Sequence, residues 1–194
     1  MTPAPAAIGH RPASPARPGW PAEPKVLGVG LPFDPIAEAE RQWDAHFDGA
    51  PLAPMAAVTS VMRAHQLLLA RLNELLEPWG ITFPRYEALM LLYFSRAGAL
   101  PLGKMGDRLQ VHRASVTNVI DRLAEAGLVE RVQPPEDRRT VLAAITSRGR
   151  RVAEEATARL HEERFATAPL DDSQSRSLVE LLTPLREGAG DFSG

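Results

Sequence analysis

The chain contains no cysteine, which excludes disulfides, thiolate zinc sites and thiol redox sensing together. Long apolar runs are missing too, since none approaches the roughly 20 residues that a membrane-spanning helix needs. The N-terminus lacks a charged start followed by an apolar stretch, so no secretory signal is expected. No acidic residue precedes Glu23, a faint likeness to a transit peptide, but the frequent prolines there oppose the amphipathic helix such a peptide needs. These absences predict a cytoplasmic protein with no membrane partner. There is also no convergent carboxylate pair, no Gly-rich phosphate loop and no Ser nucleophile motif, so no catalysis is expected. The run His161–Glu163 could suggest a metal site, but adjacent helical residues point in different directions. No metal and no cofactor are expected.

What is present is ordinary in bulk: 44% hydrophobic and 24% charged residues over 194 positions, enough for one sizeable domain with appendages. The formal net charge is −2, which by itself argues against nucleic acid. Its distribution argues the other way. From Lys104 to Arg151 there are ten Lys and Arg against six Asp and Glu, a balance of +4 that leaves −6 for the rest. A basic segment on an acidic body is the electrostatic footprint of a local anionic partner.

Residues 1–32 hold eight of the eighteen prolines and read as a disordered Pro/Ala-rich tail. Residues 33–48 read as an extra helix, with Asp34 as cap, Pro35 in the first turn and Ile36, Trp43 and Phe47 as apolar contacts. From about Pro54 to Trp79 apolar residues recur in steps of three and four, with His65 among them, which predicts a long amphipathic helix stopped by Gly80. Thr82 is expected to cap the next helix, which is apolar nearly all round. Pro101 opens a short helix through Leu109, and a tight turn leads into "RASVTNVIDRLAEAG". After Gly127, "LVERVQ" and "RTVLAAI" are two strands of a hairpin. Thr146 caps a long helix. Asp171 and Gln174 form a capping-box pattern before a last helix, whose apolar face is Leu178, Leu181, Leu182 and Leu185 and whose end Pro184 is expected to kink or fray. The fold class is mainly α with a small β-hairpin wing.

Short polar residues on an exposed helix are mediocre helix formers. Their presence at Ser115, Thr117 and Asn118 therefore suggests close approach by a partner. Val116, Val119, Ile120 and Leu123 share the core side. Arg113, Ala114, Thr117, Asn118, Asp121 and Arg122 share the other, with Ser115 near the boundary. A helix in the major groove needs short side chains that can donate or accept at base edges, and a helix-turn-helix puts the start of its second helix there. Arg138 and Arg139, at or beside the hairpin tip, suit a narrow minor groove or phosphates. Helix, turn, helix and two-stranded ribbon in this order predict a winged helix-turn-helix that binds double-stranded DNA.

The stretch "VHRASVTNVIDRLAEAGLVERVQPPEDRRTVLAAITSRG" resembles the DNA-binding core of the MarR (multiple antibiotic resistance regulator) family. The matching pieces are "SVTNVIDRL", "GLVER" entering the wing, "DRR" at its tip and "ITSRG" leaving it, and the likeness extends by architecture over about residues 54–187. The resemblance implies a homodimeric repressor of transcription released from DNA by a small ligand. Arg113, Ser115, Thr117 and Asn118 would read bases or adjacent phosphates, and Arg122 would hold the backbone. Asp137 and Arg139 fall on the family's acidic-x-basic wing pattern. The family's ligand site lies between the dimer helices and the DNA-binding lobe; here Arg63, His65, Trp79, Arg85 and Tyr86 would line it, with Trp43 as a cover. Arg63 or Arg85 would suit an anionic aromatic effector. Three features depart from the family pattern: His112 stands where a Ser-like cap is common, Ala143 replaces a larger aliphatic residue, and the tail with the Trp43 helix adds length.

The expected organisation is then a dimerisation helix over 49–80, the winged helix-turn-helix over 81–146, dimerisation helices over 147–187 and a flexible tail over 188–194. The long helices carry more apolar surface than one small lobe can cover, an independent reason to expect a dimer. Its operator would be a near-palindrome with half-sites roughly 34–36 Å apart. A constitutive architectural DNA binder and a helical protein-binding adaptor remain open as alternatives.

Overall fold

The computed structural model describes residues 30–134 and 140–192. The described chain divides into two compact units, one running to Thr167 and one beginning at Ala168.

In the first unit, α1 (Pro35–His46) starts where Asp34 accepts a hydrogen bond from the Ile36 N–H at 2.9 Å, and it packs along α2 (Leu52–Leu76). Only the end of α2 enters the core, through Leu72, Leu75 and Leu76. Val58, Val61 and Met62 on its first half are exposed. His65, expected on an apolar side, is exposed as well, because the core of one chain does not reach that part of α2. A 3₁₀ turn over Glu77–Trp79 and Gly80 in the left-handed region (φ 66°) end the run.

The next helix, α3 (Phe83–Tyr93), buries Tyr86, Ala88, Leu89 and Leu92. Its N-terminus corrects one expectation. Thr82 makes no side-chain cap; Asn73, ten residues earlier on α2, accepts the Phe83 N–H at 2.8 Å instead. Any acceptor placed over the first turn can satisfy an orphan helical N–H, whatever its distance in sequence.

Three strands follow in the antiparallel order β1–β3–β2: β1 (Ala99–Pro101), β2 (Val129–Val132) and β3 (Leu142–Ile145). The expected ribbon is β2 and β3, paired from Val129↔Ile145 to Val132↔Leu142. Periodicity does not reveal β1, since three residues are too few to show a period of two. It pairs Ala99↔Ala144 and Leu100↔Ala143, leaving the small Ala143 fully buried on the central strand.

Between β1 and β2 lie α4 (Leu102–Leu109) and α5 (Arg113–Glu125). The chain leaves α4 through Gln110, which is left-handed at φ 52° and ψ 39°. A side chain there carries a backbone cost that glycine does not. Gln110→Gly is expected to raise stability by about 0.5–1 kcal/mol, read as a higher urea midpoint at unchanged slope; a lower midpoint would mean the glutamine side chain outweighs the backbone relief.

α6 (Ser147–Glu162) is capped as expected, the Thr146 hydroxyl accepting the Gly149 N–H at 2.9 Å. Ala153, Ala156 and Leu160 are buried. They join Val116, Ile120 and Leu123 of α5, Met105 of α4, and Leu128, Val129 and Ile145 of the sheet in one core. No polar or charged residue is buried among the described residues. Arg71, half-buried, ties α2 to the end of α6 through Glu163 at 3.2 Å, and Arg159 reaches the same carboxylate at 2.8 Å.

In the second unit, α7 (Asp172–Gly188) opens with the full capping box, Asp171 and Gln174 bonding reciprocally at 2.8 and 3.0 Å. The helix continues four residues past Pro184, where a turn near the C-terminus tolerates the lost N–H better than a helix centre would. Leu178, Val179, Leu181 and Leu185 are exposed along it. Among the described residues, no helix is long and apolar enough to cross a membrane.

Candidate nucleic-acid interface

The turn between α4 and α5 is three residues, and the Val111 N–H closes it on the Gly106 carbonyl at 3.2 Å. His112 occupies the cap position of α5. Its Nδ1 accepts the Ala114 N–H at 3.3 Å, so imidazole fills the acceptor role that a serine or aspartate side chain has at other helix starts. Behind this start, Val116, Ile120 and Leu123 are fully buried, which fixes the rotation of α5 and turns Ser115, Asn118, Asp121 and Arg122 to solvent. Thr117 is half-buried at the edge of that face. Arg113 opens the helix.

Two ion pairs frame the exposed face. Arg131, on β2, reaches Asp121 at 2.6 Å and so braces the wing against the outer side of α5. Arg122 pairs with Glu125 at 2.9 Å, both side chains more than half exposed. A pair that open to water is worth little, leaving the guanidinium available to a phosphate. The role of Arg131 was missed in the sequence; the only signal was its place two residues after Val129, which puts it on the same face of β2. The wing-tip candidates Asp137, Arg138 and Arg139 lie outside the described residues. Lys104 and Arg108 on α4, and Arg148, Arg150 and Arg151 on α6, are exposed and add positive charge around this lobe.

A second feature lies between α3 and α6: an open cavity of about 810 Å³. Its walls carry Tyr86, Tyr93, Phe94 and Phe165, with the carboxylates of Glu87 and Glu154. The Tyr86 hydroxyl meets the Thr157 hydroxyl at 2.9 Å, and the Tyr93 hydroxyl donates to Glu154 at 3.0 Å. That bond and the Glu154 charge hold the Tyr93 phenol above its ordinary range. Burial raises the Glu87 carboxyl. Phe165 sits in a run of three left-handed residues, Arg164 to Ala166, that ends α6.

Of the six residues expected at a ligand site, only Tyr86 lines this cavity. Trp43 is on α1, tilted against Phe47 at 5.3 Å. Arg63 is on α2 beside Gln66 at 3.4 Å, and His65 is exposed nearby. The Trp79 indole donates to Glu155 at 3.0 Å, and Arg85 is half-buried on α3. Apart from Tyr86, these residues are spread over α1, α2, the 3₁₀ turn and α3 and do not line this cavity. Among the described residues, no group of three or more His, Asp or Glu could hold a metal ion.

The MarR family model matches residues 81–141, from just before α3 to the return strand of the wing. The HTH-type transcriptional regulator YhbI of Bacillus subtilis is 34% identical over 127 residues, covering 63% of this chain and 81% of that protein. Among solved structures, Sco5413, a MarR family transcriptional regulator from Streptomyces coelicolor, is similar at a TM-score of 0.67 and 46% identity, covering 73% of this chain and 99% of its own. Sco3205, a MarR family regulator from the same organism in complex with DNA, shares the fold at a TM-score of 0.62 and 24% identity, over 69% of this chain and 88% of its own. With its recognition-type helix, its braced wing and a relative covered over most of its length, this chain belongs to the MarR family of transcriptional regulators and is not an enzyme.

Proposed function

We propose that the protein is a ligand-responsive repressor that binds a near-palindromic operator as a homodimer in the cytoplasm. The observation that carries this reading is the outer face of α5, where Ser115 and Asn118 stand exposed on a helix whose back is locked into the core. A rigid helix with short hydrogen-bonding side chains at its start is what base-edge readout requires. The complex of Sco3205 with DNA supports the reading, because it holds the same fold against a duplex. In this reading Arg113, Ser115, Thr117 and Asn118 contact bases or neighbouring phosphates, Arg122 holds backbone, and the wing tip at Asp137–Arg139 enters the minor groove.

Dimerisation rests on uncovered apolar surface. Val58, Val61 and Met62 on α2 are exposed, as are Leu178, Leu181 and Leu185 on α7. Such stripes mark association surfaces when they are contiguous. The segments 49–80 and 147–187 are therefore assigned to the dimer and 81–146 to DNA. An effector in the cavity between α3 and α6 would press on Phe165, whose backbone is left-handed at φ 50° and ψ 42°. It would act by favouring a spacing of the two lobes that the operator does not accept.

The test is a comparison of Asn118→Ala and Arg122→Ala on cognate and random duplexes, measured by fluorescence anisotropy. Asn118→Ala is expected to cost about 1–3 kcal/mol on the cognate site and little on random DNA, whereas Arg122→Ala weakens both alike. Equal losses from both changes on both duplexes would remove the division between reading and holding.

A further inference from the structure

The cavity between α3 and α6 has a charge that its place in the fold does not explain. Its charged walls are the carboxylates of Glu87 and Glu154, and neither lysine nor arginine contributes to the lining. Glu87 makes no ion pair among the described residues, and burial against the groove raises its carboxyl. Glu154 receives one neutral hydrogen bond from Tyr93. Arg150 lies over the Tyr93 ring at 5.8 Å without joining the lining. Apart from the Thr157 hydroxyl and the His161 imidazole, the rest of the surface is apolar or aromatic, including Met90, Leu91 and Phe165.

Aromatic faces attract positive charge through their quadrupole. Carboxylates do the same more strongly, and repel an anion for the same reason. An organic anion entering here would meet two carboxylates in the wall, opposed by the His161 imidazole and by the Arg150 guanidinium that stands behind the Tyr93 ring. We propose that the cavity binds an amphiphilic organic cation, its apolar body against Met90, Leu91 and Phe165 and its charge balanced by Glu87 and Glu154. This replaces the anionic aromatic effector expected from Arg63 and Arg85, which are not in the cavity wall. It rests on the ligand-responsive reading above and gives that reading a chemical class.

Three probes of one shape test it: 4-phenylbutyl-trimethylammonium, 4-phenylbutanol and 4-phenylbutyrate, titrated calorimetrically into the full chain without DNA. The cation is expected to bind about tenfold or more tighter than the anion, with the alcohol between them. In Glu87→Gln with Glu154→Gln, which keeps an acceptor for Tyr93, the preference should shrink to roughly threefold or less. Asp44→Asn with Asp48→Asn removes the same charge from the far end of α1 and its following turn and should leave the preference intact. Glu87→Gln alone, at an exposed position, gives the same direction if the double variant folds poorly. An anion that binds as tightly as the cation, a preference unchanged by the glutamines, or no binding by any probe would each overturn the proposal. Duplex binding measured on the same preparation without probe separates the two readings: its loss removes the operator-binding reading, while the calorimetry decides the cation site alone.

Discussion

Gly149→Ala is expected to cost about 3 kcal/mol or more of folding stability, a large effect for the addition of one methyl group. Gly149 lies in the first turn of α6. A Cβ built there would lie 2.1 Å from the Leu128 carbonyl oxygen and 2.9 Å from Cγ1 of Ile145. The first neighbour is backbone and cannot rotate away. It is also engaged, since the Leu128 oxygen accepts the Thr146 N–H at 3.1 Å and the Thr146 hydroxyl at 3.2 Å. Making room therefore means lifting α6 off the start of β2, which breaks the corner that joins recognition helix, wing and α6. Chemical denaturation followed by circular dichroism measures the loss. Gly103→Ala is the control: a Cβ at that position would meet nothing within 4 Å, and a helical Gly-to-Ala change is expected to stabilise by about 0.5–1 kcal/mol. A Gly149→Ala protein as stable as the parent would show that α6 does not approach β2 this closely.

DNA affinity is expected to fall on the order of 10³-fold between about 50 and 200 mM salt. The basis is the basic segment from Lys104 to Arg151, offered twice by the proposed dimer. Each phosphate neutralised adds roughly −0.9 to the slope of log affinity against log salt. Arg122→Ala should make that slope shallower by about 1 for each protomer engaged, while Asn118→Ala leaves it nearly unchanged. Anisotropy titrations across a series of salt concentrations are sufficient. A flat profile on a duplex that is nonetheless bound would sink the phosphate assignment.

Several elements are legible without any knowledge of the fold, and they share a property: each depends on residues within about one helical turn or one hairpin of each other. The caps at Asp34, Thr146 and Asp171 are set by a side chain reaching two or three residues ahead. The outward face of α5 follows from Val116, Ile120 and Leu123 recurring in steps of three and four. The same spacing gives the α7 stripe, and two short segments on either side of "PPED" give β2 and β3.

What escaped the sequence depends on partners brought together from afar. Asn73 caps α3 across ten residues, and Arg131 meets Asp121 across ten. The Tyr93–Glu154 and Tyr86–Thr157 contacts that shape the cavity span 61 and 71 residues. No periodicity carries those pairings, because they depend on where one packed helix sets another. For the same reason the sequence does not separate Tyr86, which lines the cavity, from Arg63, Arg85 and Trp79, which do not. By itself the sequence determined which residues form helices, which face of α5 is turned outward, and that the chain carries a winged helix-turn-helix, because period and local capping act over a few residues. Only the tertiary structure decided that α6 rests on Leu128 through a residue without a side chain and that the cavity beside α3 is walled by carboxylates, because both are set by the docking of segments far apart in the chain.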